Sequence, residues 1–66
     1  MINFEVKDMT CGHCASTITK AVISADHAAK VQIDLASHRV TIEPVSADAT
    51  SLRDAITQAG YTPVAV

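Results

Sequence analysis

Cys11 and Cys14 are the only cysteines in a chain of 66 residues, and two residues, Gly12 and His13, separate them. Ahead of the pair, Ile2 to Lys7 alternates apolar and polar residues with the period of a strand. Behind it, Ala15 to Ala25 places apolar residues at helical spacing. Both thiols therefore fall where a strand turns into a helix. Unpaired N–H groups and the positive end of the helix dipole collect at that point. A thiol held there ionises more readily than free cysteine, and the thiolate is the form that binds metal. Zn(II) takes four ligands, or three and an open position. Here the motif offers two sulfurs and no carboxylate, with Thr10 directly before Cys11. Such a pair favours Cu(I), and Ag(I) or Hg(II) should bind by the same logic, ahead of Zn(II).

Inert buried cysteines or a local disulfide would use the same residue types, but they are seldom set on a strand-to-helix turn around Gly and His. A thiol–disulfide protein of the thioredoxin type is the stronger alternative, because C-x-x-C beside a βαβ pattern is its signature. Against it, the chain is much shorter than a thioredoxin domain. No counterpart of the thioredoxin cis-proline is evident either, since Pro63, the only late proline, falls in the terminal strand. Metal binding is therefore the reading and redox chemistry the alternative.

Met9 either lends a soft thioether or packs beneath the loop; the chain must turn between Met9 and Cys11, which favours packing. His13, between the two sulfurs, should point away from a bound ion into solvent, where its imidazolium would promote thiolate formation. Asp8 is the nearest carboxylate, three residues ahead of Cys11, and is not expected to reach the metal.

The composition excludes several classes. A net charge of −2 and only two aromatics, Phe4 and Tyr61, leave neither the basic face nor the stacking platform of a nucleic-acid binder. No apolar run approaches a membrane span. Asn3, Glu5, Lys7 and Asp8 interrupt any signal-peptide core, so the expected compartment is the cytoplasm, where thiols stay reduced. The length predicts one domain over residues 1–66. Charges are scattered; Lys20 and Arg39 are the candidates for steering an acidic partner surface.

The elements that position the pair are legible in order. A first strand is expected over Ile2–Lys7 with Ile2, Phe4 and Val6 inward, then a helix over His13–Ser24 capped by Thr10. Its inward stripe is Cys14, Ile18, Ala21, Val22 and Ala25, with Ser16, Lys20 and Ser24 outward. Asp26-His27-Ala28 reads as a connection. Lys30–Leu35 and Arg39–Glu43 alternate about the turn Ala36-Ser37-His38 and form a hairpin that Pro44 ends. Asp48 caps a second helix with Leu52, Ala55, Ile56 and Ala59 inward, and Gly60 stops it. Tyr61–Val66 is the last strand, placed at a sheet edge by Pro63. The order βαββαβ is the ferredoxin-like α+β pattern: a four-stranded antiparallel sheet with two helices on one face. Strand polarity then brings the cysteine loop, the Ser37-His38 turn and the Gly60-Tyr61 turn to one end, where His38 and Tyr61 can approach the thiols. Asp26-His27 and Pro44 to Ala47 fall at the other end, so His27 should take no part in chemistry.

Met9-Thr10-Cys11-Gly12-His13-Cys14 resembles the M-x-C-x-x-C loop of heavy-metal-associated (HMA) domains. The order of elements and the Gly60-Tyr61 pair match as well, so the resemblance covers essentially the whole chain. A free-standing domain this short is similar to the bacterial copper chaperones. Related domains form N-terminal extensions of copper- and zinc-transporting P-type ATPases and the mercury-binding proteins of the periplasm. The resemblance implies Cu(I) held by Cys11 and Cys14 and handed to the matching pair of a partner such as a copper-transporting P-type ATPase. It thus implies a carrier and not an enzyme. It also implies a buried Met9 and a Tyr61 near the metal. A regulatory metal-binding domain of a larger transporter is the second alternative, and a monomer that copper bridges into a dimer is compatible with both. One departure stands out: the family usually has Gly before the Met, and here Asp8 stiffens the loop and adds a negative charge beside the thiolates.

Overall fold

Alternating sequence gives four strands and 3.6-residue spacing gives two helices, in the order β1 (Ile2–Val6), α1 (Gly12–Ala25), β2 (Lys30–Asp34), β3 (Arg39–Glu43), α2 (Ala49–Gln58) and β4 (Pro63–Ala65). The structure is a computed structural model and describes Met1 to Val66. The strands form one antiparallel sheet in the order β2-β3-β1-β4. Phe4 lies opposite Val40, Ile2 opposite Ile42, and Val6 opposite Pro63. This is the ferredoxin-like α+β fold expected from the sequence, with β4 at an edge where the missing N–H of Pro63 is tolerated.

Phe4, Val6, Val40 and Ile42 point to one face of the sheet. They join Ile18 and Val22 of α1, Leu52 and Ile56 of α2, Met9 and Ala29 in a single buried cluster. Each large aliphatic side chain so buried stabilises the fold by about 1.5–3 kcal/mol. Asp48 caps α2 as expected, its side chain accepting the Ser51 N–H at 2.8 Å. At the other end of α2, Gly60 N–H donates to the Thr57 carbonyl and Tyr61 N–H to the Ile56 carbonyl, a Schellman closure. That closure requires the positive φ of 101° that Gly60 adopts.

Several boundaries differ from the expectation. Lys7 belongs to a turn and not to β1, and Leu35 leaves β2 to enter the hairpin turn, where it is exposed. Here Asp34 accepts the Ala36 N–H at 3.0 Å and turns the chain before Leu35 can pair. The last strand is three residues long and not six, because the Schellman closure occupies Gly60 and Tyr61. Ala25, placed in the inward stripe, is exposed at the end of α1. The buried residue there is Asp26, read as mere connection; it is 2% exposed and accepts the N–H groups of Val45, Ser46 and Ala47 at 2.7, 2.9 and 3.1 Å. Those three bonds close the end of the molecule opposite the cysteines.

Candidate metal site

Beyond β1 the chain turns at Lys7-Asp8 and then drops Met9 into the core, where it has no exposed surface. Burial of Met9 fixes where the exposed Thr10 and Cys11 emerge. Cys11 is extended (φ −150°, ψ 171°) and is itself the residue from which α1 starts, its carbonyl accepting the Ala15 N–H at 3.2 Å. Thr10 is therefore not the cap: the helix begins at Gly12, one residue earlier than expected, and Thr10 lies outside the capping position. No side chain caps α1 and no acid occupies its first turn. The positive end of the helix thus faces the two sulfurs without a competing anion.

The Cys11 and Cys14 sulfurs are 3.5 Å apart, with Cys11 exposed and Cys14 half-buried against the core. Both are free thiols, since a disulfide needs about 2.05 Å. With metal–sulfur bonds of about 2.3 Å, two thiolates at this separation subtend one ion at a bent angle. A linear arrangement needs about 4.6 Å, wider than the separation observed. No group of three or more His, Cys, Asp or Glu side chains is placed to hold a metal ion, so the pair stands as a two-donor set.

The Cys14 thiol is lowered from 9.0 to about 7. A hydrogen bond from the Tyr61 side chain is the chief cause, followed by bonds from the Thr10 main chain and the Cys11 thiol, while partial burial works the other way. The Tyr61 hydroxyl is raised in turn, chiefly because it bonds the Cys14 sulfur. Its ring also packs on the core. Tyr61 thus both closes the edge of the core and neighbours the Cys14 sulfur.

Around this pair the sequence-predicted residues divide. His13 is exposed, and its carbonyl accepts the Thr17 hydroxyl at 3.0 Å. Asp8 accepts the Thr62 N–H at 3.3 Å, which ties the cysteine loop to the segment carrying Tyr61. His38 is half-buried on the hairpin turn, and its ring Nδ1 lies 2.9 Å from the Met9 carbonyl. His27 is exposed beside Asp26, at the far end. Thr17, which the sequence reading does not single out, also lies close enough to Tyr61 to offset part of the rise in the tyrosine hydroxyl. Its signal was the i+3 spacing from Cys14, which puts both on one helix face.

Comparison with known proteins matches residues 3–62 to the heavy-metal-associated domain. Two relatives align over nearly all of the chain. One is a copper-transporting ATPase 2 of Rhizobium meliloti (strain 1021), 32% identical over 62 residues, which are 92% of this chain but 8% of that protein. The chain therefore spans only a small part of that relative. The other is a COP-associated protein of Helicobacter felis, 38% identical over 91% of this chain and 92% of its own length. Among solved structures, a gold-binding protein superposes with a TM-score of 0.93 at 36% identity, all of both chains being covered. The copper chaperone Atx1 from Synechocystis PCC6803 superposes with a TM-score of 0.92 at 41% identity, covering 97% of this chain and 100% of that one.

Proposed function

This chain belongs to the heavy-metal-associated domain family, and on that premise we propose that it carries Cu(I) on Cys11 and Cys14 and passes it to the thiolate pair of a partner such as a copper-transporting P-type ATPase. One observation carries the reading: two free sulfurs 3.5 Å apart on an open loop, with no third donor beside them. Soft, low-coordinate monovalent ions are satisfied by two thiolates, whereas Zn(II) is left short of ligands. The likeness to a gold-binding protein and to a copper chaperone supports the same soft-ion preference, extended to Ag(I) and Hg(II).

Transfer is ligand exchange without electron transfer. A partner thiolate adds to the two-coordinate ion and forms a third metal–sulfur bond. One of the original thiolates then leaves, and a second exchange completes the transfer. The Tyr61 hydroxyl and the Thr10 main chain steady Cys14 as the anion that this sequence needs. The protein acts as a carrier in the reducing cytoplasm and catalyses nothing. A second copy offering its own thiolates would give a copper-shared dimer of an otherwise monomeric protein. The match to one segment of an ATPase favours a second reading, a regulatory metal-binding domain of a larger transporter.

An anaerobic Cu(I) titration against a strong competing chelator tests the proposal, repeated with Zn(II) and with the Cys11→Ala, Cys14→Ala double variant. A tight one-to-one Cu(I) complex lost in the double variant is expected. Tighter Zn(II) than Cu(I) binding would overturn it. Rapid catalysed exchange with a disulfide substrate in the absence of metal would move the assignment to thiol–disulfide chemistry.

A further inference from the structure

His38 is the one non-glycine residue with positive φ, at 55°. Histidine, like Asn and Asp, enters that region more readily than most residues, yet it remains uncommon there and invites a reason. Three hydrogen bonds supply one. Val6 N–H donates to the His38 carbonyl at 2.8 Å, and Met9 N–H donates to the Val6 carbonyl at 3.1 Å. The His38 ring closes the circuit on the Met9 carbonyl at 2.9 Å. A carbonyl only accepts, so Nδ1 carries the proton. The left-handed backbone lets one residue reach β1 with its main chain and the cysteine loop with its ring.

The Met9 carbonyl shares a planar trans peptide with the Thr10 N–H, so fixing one aims the other in the opposite direction. The Thr10 main chain is one of the groups that lower the Cys14 thiol. We propose that His38 is a positioning residue for the thiolate pair, holding the Met9–Thr10 peptide from the β2–β3 turn so that the Thr10 N–H stays on the Cys14 side. Where the proposed function concerns which ion the pair carries, this inference concerns what orients the pair. It rests on that reading only for its effect on metal release.

The test compares two variants that both accommodate positive φ and keep the main-chain bond to Val6. His38→Gly removes the ring; His38→Asn restores a side-chain N–H near the place of Nδ1. In the reduced, metal-free protein, amide exchange at Thr10, Cys11 and Gly12 should quicken about three- to tenfold in His38→Gly and return toward the parent rate in His38→Asn, at matched urea midpoints. Cu(I) release to a competing chelator should rise and recover in the same pattern. Unchanged exchange at those three amides in His38→Gly overturns the inference. So does loss in both variants alike, which would mark a merely structural residue. The exchange measurement needs no metal, so failure of the protein to bind Cu(I) would sink the proposed function and leave this result standing.

Discussion

Cys14 is the residue on which the local chemistry converges. Because its thiol is lowered to about 7, chiefly by Tyr61, its alkylation rate by iodoacetamide should inflect near pH 7. In Tyr61→Phe the inflection should move up toward the ordinary thiol value, as read by mass spectrometry of the Cys14 peptide against pH. An inflection that stays put in that variant would assign the lowering to the main chain and the Cys11 thiol. The same protonation bears on metal: below pH 7 an ion must displace a proton from Cys14, so apparent Cu(I) affinity should fall about tenfold or more per pH unit. Met9 gives the complementary prediction. It is fully buried in the core cluster, which supports packing over ligation for its sulfur. Met9→Leu conserves volume and should lower stability by less than about 1.5 kcal/mol in urea unfolding, with Cu(I) affinity in a chelator competition unchanged. A large loss of affinity at full stability would instead make the thioether a ligand.

Among the elements, three loops meet because strand polarity sends them to one end, and the bonds of Asp8 to Thr62 and of His38 to Met9 are what join them. Asp8→Gly removes one of these ties and frees φ at the same time. It should therefore loosen the Tyr61 segment, seen as faster exchange of the Thr62 amide by about three- to tenfold, while α1 keeps its protection. The meeting of the loops was legible in sequence: alternation fixed the strands, Gly60 and Asp48 marked the ends of α2, and βαββαβ order fixed the polarity. What escaped were contacts between residues far apart in the chain. Thr10 looked like a cap because capping preference is a local property, whereas burial of Met9 decides where the helix can start. His38 read as a turn residue because nothing local shows that its ring faces a carbonyl 29 positions earlier. Asp26 read as a connection for the same reason, its partners lying 19 to 21 positions away.

Across the whole molecule the two ends have separate duties. The α1 helix runs between them, and its 14 residues span about 20 Å. The cysteine pair sits at one end; at the other, buried Asp26 gathers three N–H groups. Those bonds hold its carboxyl well below the usual carboxylate range, with the Ala47, Ser46 and Val45 main chains as the causes in that order. Because the folded value is depressed, the contribution is fully present above the unfolded value of about 3.8. It is lost progressively as pH falls below that value toward the folded one. Asp48, lowered by its cap bond to Ser51, adds in the same direction. Asp26→Asn should therefore lower Tm at pH 7 by about 5–10 °C, and its urea midpoint should vary less between pH 5 and 2 than that of the parent. The metal end should not feel the change. An ion that binds only the folded state stabilises by RT ln(1 + [L]/Kd), so the Tm increment on adding Cu(I) should be the same in parent and variant if Kd is untouched. Calorimetry of both proteins with and without Cu(I) measures the two increments. A smaller increment in Asp26→Asn would show that the far end reaches the thiolates through α1, and the division of the molecule into a holding end and a binding end would fail.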